Sequence, residues 1–156
     1  VLHQPNSMVL DRNHSLWVLC DGGAEGNPYG NEEGGLVKIE AGSTEAQIII
    51  RFSRGENPTD LRINGTGDTL YYINRDIYSY AVNAESDPEL LIESPYETNM
   101  TMGYYSLEVD PFSSELYVAD AVDFVQAGMV YRFTPEGAVL DTFRTGIVPG
   151  GFCFNY

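Results

Sequence analysis

Positive charge is what this chain has least of. Eight Lys and Arg stand against 23 Asp and Glu, a formal net charge of −15 over 156 residues. A nucleic-acid partner needs a cationic footprint from which phosphates displace counterions, so that class is excluded. Histidine is scarce too. His3 and His14 are the two present, and no serine sits in a nucleophile-elbow context, so triad chemistry has no support. The two cysteines, Cys20 and Cys153, share no metal-ligand spacing and read as buried free thiols within strands. No apolar run approaches membrane-spanning length, the densest β-branched cluster being Ile48, Ile49 and Ile50, and no signal peptide precedes the first strand. Helical periodicity is also missing, since no window of about 11 to 18 residues sustains apolar positions three and four apart.

What remains is a chain that is 43% apolar and 12% aromatic, rich in Tyr, Val, Ile and Gly, which is a nearly all-β composition with enough apolar mass for a core. Residues 104–120, YYSLEVDPFSSELYVAD, have hairpin grammar. Leu107 and Val109 alternate on one side of a first strand, Asp110, Pro111, Ser113 and Ser114 make a turn, and an aromatic-bearing second strand follows. Residues 57–74 (NPTDLRINGTGDTLYYIN) and 4–21 (QPNSMVLDRNHSLWVLCD) repeat the plan. Pro5, Pro58, Tyr104 and Pro149 hold the same slot before each unit, at spacings of 53, 46 and 45 residues. A period of this size with four short strands per unit indicates β-propeller blades.

The expected architecture is therefore a β-propeller portion of three four-stranded antiparallel blades, at 4–56, 57–101 and 102–146, plus the first strand of a further blade within 147–156, at 151–154. Strands a to d are expected at 7–11, 16–20, 35–40 and 46–52 in the first unit. The second has them at 60–64, 69–74, 77–81 and 89–92, and the third at 106–110, 115–119, 129–133 and 139–145. In an antiparallel meander the a–b and c–d turns share one face, and the b–c and d–a connections share the other. The first set is short throughout. The second contains the long segments 21–34, 93–103 and 120–128, and function concentrates on long loops carried by a rigid scaffold.

The strand-b phrases LWVLCD, LYYIN and ELYVAD resemble the YVTN-type repeat. The whole chain resembles the YncE-like, surface-layer-type seven-bladed propellers of Bacteroidetes, with PGGFCFN as the closing segment. The resemblance implies the later part of a longer protein at the cell surface or in the periplasm, with its signal outside this chain. The ring would be closed by missing N-terminal blades or by another chain. It implies partners such as a small molecule, a corrinoid, a glycan or another surface protein, because some related surface lipoproteins capture corrinoids such as cobalamin. No site motif of the family is visible for residue-by-residue transfer.

From the residues alone, the long-loop face gathers Asn27, Tyr29 and Asn31, then Tyr96, Asn99, Tyr104 and Tyr105, then Asp123, Phe124 and Gln126. Rings beside amides and carboxylates suit a sugar, a corrinoid or a peptide, with Asp21 at the base of the first loop. Tyr105 is also read as packing between blades, and Trp17 as core. Residues 21–32 partly match a calcium loop, with Asp21, Glu25 and Glu32 as ligands and Gly26 at the turn. Gly23 cannot ligate through a side chain and no helix flanks the loop, so an EF-hand is excluded. An isolated calcium site and a merely solvated acidic loop stay open, and no other cofactor is expected. The leading function is non-catalytic ligand binding. Two alternatives stand beside it: a hydrolase or lyase using carboxylates from Asp21, Glu97, Asp120 and Asp123, and a structural module that contacts another protein.

Overall fold

The computed structural model describes residues 1–28, 30–96 and 103–156. Among them there is no helix, and twelve strands form three four-stranded antiparallel sheets. The first sheet holds β1 (Pro5–Leu10), β2 (Leu16–Cys20), β3 (Gly34–Ile39) and β4 (Ala46–Phe52) in chain order. The second holds β5 (Thr59–Ile63), β6 (Thr69–Asn74), β7 (Asp76–Ala81) and β8 (Glu89–Ile92). The third holds β9 (Tyr104–Val109), β10 (Leu116–Asp120), β11 (Ala127–Phe133) and β12 (Val139–Ile147). Each sheet is a simple meander. The first strands lie side by side, β5 packing against both β1 and β9, which is the innermost ring of a propeller.

The middle blade shows how sequence alternation builds the core. In β6, Leu70 and Tyr72 face the first blade, where they meet Trp17, Leu19, Leu36 and Phe52. Tyr71 and Ile73 face the third, against Leu107, Leu116, Val118 and Phe133. Successive strand residues point to opposite faces, so a strand covered on both sides is apolar throughout. Trp17 is core, as its place in strand b implied, and its ring meets Tyr80 edge-on at 5.8 Å.

The a–b turns repeat one device. Asp11, Asn64 and Asp110 end the first strands at the same spacings as the repeat, and each side chain accepts turn amides. Asp11 Oδ1 takes the amides of Asn13 and Ser15 (2.8 and 2.9 Å), Asn64 Oδ1 those of Asp68 and Thr69, and Asp110 Oδ1 those of Phe112 and Ser113. Neighbouring turns also touch. A Cβ on Gly65 would run into the Pro111 carbonyl, so only glycine allows that approach. Between the inner strands, Arg62 spans two blades, its Nε donating to Glu108 (2.9 Å) and its guanidinium to Asp60 (3.0 Å).

The first and third sheets both pack on the second, and among the described residues no further sheet covers their far faces. Met8 and Leu10 are exposed on one end, and Phe143 on the other. The sheets are open, and the chain is an incomplete propeller. The partners expected for a strand at 151–154 lie outside this sequence, and within this chain residues 148–156 pair into no ladder. They instead lay Phe152 and Phe154 against the Tyr117 ring on the far side of the third sheet, centroids 6.0 and 5.1 Å away. Cys153 is consequently exposed rather than buried, whereas Cys20 is buried as expected.

Candidate ligand-binding site

Strand parity puts the b–c and d–a connections at one end of the blades, and there their lengths differ sharply. The first blade's b–c connection spans residues 21–33 and the third's spans 121–126, but the middle blade makes the same connection with Arg75 alone. Arg75 accepts a left-handed φ of 62° so that Asn74 and Asp76 can pair directly. A one-residue connection between taller neighbours leaves a notch. A cleft of about 940 Å³ opens there, bounded by residues 55–57 and 59–60 on one side and by Gly103, Tyr104, Tyr105 and Ser106 at the head of β9 on the other.

Its polar groups are held by one another. Glu56 accepts the Asn74 side-chain amide (2.9 Å), tying the first wall to the end of β6. Asp76 accepts the Ser94 amide at 2.7 Å, and Arg75 donates to the Tyr96 carbonyl, so the one-residue turn clasps the near end of the 93–103 connection. Arg75 Nε is shielded from solvent and finds no acceptor among the described residues. Asp60, at the head of β5, has its carboxyl pushed up by burial; Arg62 and the Leu107 amide oppose that rise. Burial likewise raises the Tyr78 phenol and brings that of Tyr104 up to about 12.

The residues expected from the sequence divide into three groups. Tyr104 lines the cleft, its hydroxyl donating to the Glu93 carbonyl at 3.2 Å, and Tyr105 lines it as well. Tyr105 does not pack between blades but is 42% exposed, braced edge-on by Phe124 at 5.4 Å, which is itself 51% exposed. A second group holds loops in shape. Tyr96 donates to both oxygens of buried Asp120 (3.0 and 2.9 Å), and burial with that bond raises its phenol well above the usual value. Asp123 folds its own loop, taking the Gln126 side chain at 2.7 Å and the Gln126 and Val125 amides, bonds that bring its carboxyl down to about 2. The Asn27 backbone forms a tight turn, bonding Ala24 and Gly30. Tyr29, Glu97 and Asn99 lie outside the described residues.

The third group is the calcium set. Among the described residues no three His, Cys, Asp or Glu side chains gather as a metal ion requires, so Asp21, Glu25 and Glu32 do not converge. Asp21 caps its loop through the Gly23 amide (2.8 Å), while Glu32 reaches across to Arg54 at 3.0 Å. Strand ends b repeat Asp21, Asn74 and Asp120 at the 53- and 46-residue spacings, so a carboxylate or amide at this position fastens a connection in each blade.

Sequence reasoning missed Glu56, Asn57, Asp60, Arg75, Asp76 and Tyr78. The signal was present as a contrast: LYYINRDIYSY leaves almost no room between two strands, and a missing loop makes a hollow as surely as a long one makes a wall.

No protein-family model matches the sequence, and no curated protein does. Among solved structures the chain is similar to a quinoprotein alcohol dehydrogenase-like protein from Bacteroides thetaiotaomicron, with a TM-score of 0.59 and 19% identity over 89% of this chain. At that identity the likeness carries the fold, and with the three open meanders it defines the chain as a portion of a β-propeller. The chain spans 33% of that neighbour's length.

Proposed function

We propose that this chain supplies part of the strand-end face of a ligand-capturing β-propeller of the surface-layer type, working at the cell surface or in the periplasm. The observation that carries the reading is the cleft over Arg75, whose polar side chains are pre-positioned by Glu56, Asn74, Asp76 and Ser94. Groups already held by a rigid scaffold lose little entropy when a ligand arrives, which is what capture needs. Further blades, from the same protein or another copy, would cover the Met8 and Phe143 faces and complete the ring.

Titrating the full-length protein with cobinamide, defined oligosaccharides and calcium, by calorimetry, tests capture. A binder should be weakened by Tyr105→Ala and left alone by His14→Ala, since His14 belongs to an a–b turn at the opposite end. A carboxylate-dependent hydrolase or lyase is the second reading, favoured by Glu56, Asp60 and Asp76 lining one cleft with the Asp60 carboxyl raised. Turnover of a bound ligand that Asp60→Asn abolishes would replace capture by catalysis.

A further inference from the structure

We propose that the cleft over Arg75 binds a neutral oligosaccharide, one sugar face lying on the Tyr105 ring and the hydroxyls reaching the polar side chains of residues 56–60 and 74–76. This rests on the capture reading above and gives its site an occupant.

Three properties select that chemistry. The first is balance. Each carboxylate already has a donor of its own: Glu56 has the Asn74 amide, Asp60 has Arg62 and Asp76 has the Ser94 amide. Their charge is partly answered, and what they offer is spare lone pairs in fixed positions. Arg75, which also holds the Tyr96 carbonyl and pairs with Asp76, and the exposed Asn57, one of whose amide N–H groups goes to the Gly55 carbonyl (2.9 Å), bring N–H donors to the same lining. A ligand hydroxyl donates and accepts at once, so a polyol matches a lining that mixes both kinds of group. An anionic ligand would meet three carboxylates against one guanidinium, whereas a cation would compete with donors already in place.

The second property is an exposed ring. Tyr105 lines the cleft at 42% exposure, and a T-shaped contact with the Phe124 ring at 5.4 Å restrains its orientation. The C–H face of a pyranose is apolar and buries well on such a surface while its rim stays polar. Size and shape are the third. At about 940 Å³ the cleft is at the upper end of the roughly 300–1,000 Å³ of small-molecule sites, and it is open rather than enclosed. More than one sugar ring fits, and a chain can run out of it.

The test is calorimetric titration of the full-length protein with cellohexaose, xylohexaose, mannohexaose and chitohexaose, with hexagalacturonate and spermine as charged comparators and cobinamide alongside. Tyr105→Ala and Asn57→Ala are the site variants, both at exposed positions where folding should tolerate them, and His14→Ala is the control. At least one neutral hexasaccharide should bind. Tyr105→Ala should weaken it about ten-fold or more, as expected for an aromatic anchor, Asn57→Ala should weaken it less, His14→Ala should leave it unchanged, and hexagalacturonate should bind more weakly. Silence of all four neutral sugars overturns the assignment, as does spermine binding that Tyr105→Ala removes. If cobinamide alone binds and Tyr105→Ala weakens it, the saccharide assignment is lost while capture stands. Release of shorter sugars from a bound hexasaccharide has the opposite meaning: the occupant is right and capture without turnover is wrong.

Discussion

Removing the Asp11 carboxylate should destabilise the first blade far more than removing its repeat-mate Asp110. Asp11 is 4% exposed and accepts three bonds: the Trp17 indole N–H at 2.9 Å, the Ser15 amide at 2.9 Å and the Asn13 amide at 2.8 Å. Trp17 and Ser15 are themselves buried, so Asp11→Ala orphans two donors that water reaches poorly. At about 1–3 kcal/mol for each buried unsatisfied group, the loss should be about 2–6 kcal/mol, a large share of a typical domain's roughly 5–15 kcal/mol. Asp110 serves the exposed amides of Phe112 and Ser113, and Asp110→Ala should cost about 1 kcal/mol or less because water replaces the carboxylate. Urea unfolding of the two variants in the full-length protein, compared at equal m-values, measures both. Burial alone would raise the Asp11 carboxyl, but the bonds from Trp17, Ser15 and Asn13 outweigh it and hold the group below its usual value. A depressed acid stabilises the fold above its unfolded pKa, and that contribution is lost as pH falls through the folded one. Asp11→Asn should therefore flatten the acid limb of the stability curve. Equal losses from Asp11→Ala and Asp110→Ala would refute the reasoning, since they would mean that burial of the donors does not set the cost.

Asp60 should show the opposite pH behaviour: its carboxyl is raised by burial, so its contribution improves as pH falls through the folded pKa, and Asp60→Asn should remove that gain in an acid titration followed by circular dichroism. Arg62→Met should lower the unfolding free energy by roughly 1–3 kcal/mol in a denaturant series, because Asp60 and Glu108 lose the guanidinium that joins β5 to β9. Gly65→Ala should cost about 1–3 kcal/mol by overpacking against Pro111, whereas Gly146→Ala, whose Cβ would meet nothing within 4 Å and whose φ is not left-handed, should cost less in the same assay. Tyr96→Phe should leave buried Asp120 without its phenol and speed amide exchange at residues 94–96, read by mass spectrometry.

The blades were legible because they follow from local, periodic signals. Alternation in LYYIN, the turn-forming Asp11, Asn64 and Asp110, and the 53- and 46-residue spacing each recur in every unit, and the sheets fall where those signals put them. Strand ends moved by one or two residues, as in β9, which begins at Tyr104 because its pairing with Asp120 runs one bulge further. The cleft was less legible. Long loops advertise themselves, but Arg75 becomes a site residue only through the heights of connections on neighbouring blades, which no single window contains. Asp120 and Asp123 looked like candidate acids because a carboxylate's partners are not written beside it; in the fold they are spent on Tyr96, Val122 and Gln126. A strand exists through its ladder, and the partners expected for 151–154 belong to a blade outside this sequence; within this chain the Phe152 and Phe154 rings rest against Tyr117.

The most direct measurement of the central claim is a crystal structure of the full-length protein grown with its tightest-binding neutral hexasaccharide. The account expects an intact sugar chain over Arg75, stacked on Tyr105 and within hydrogen-bond reach of Glu56, Asp60 or Asp76. A ligand seated on the opposite face, beside the turns of Asp11, Asn64 and Asp110, or found there cleaved, would contradict it.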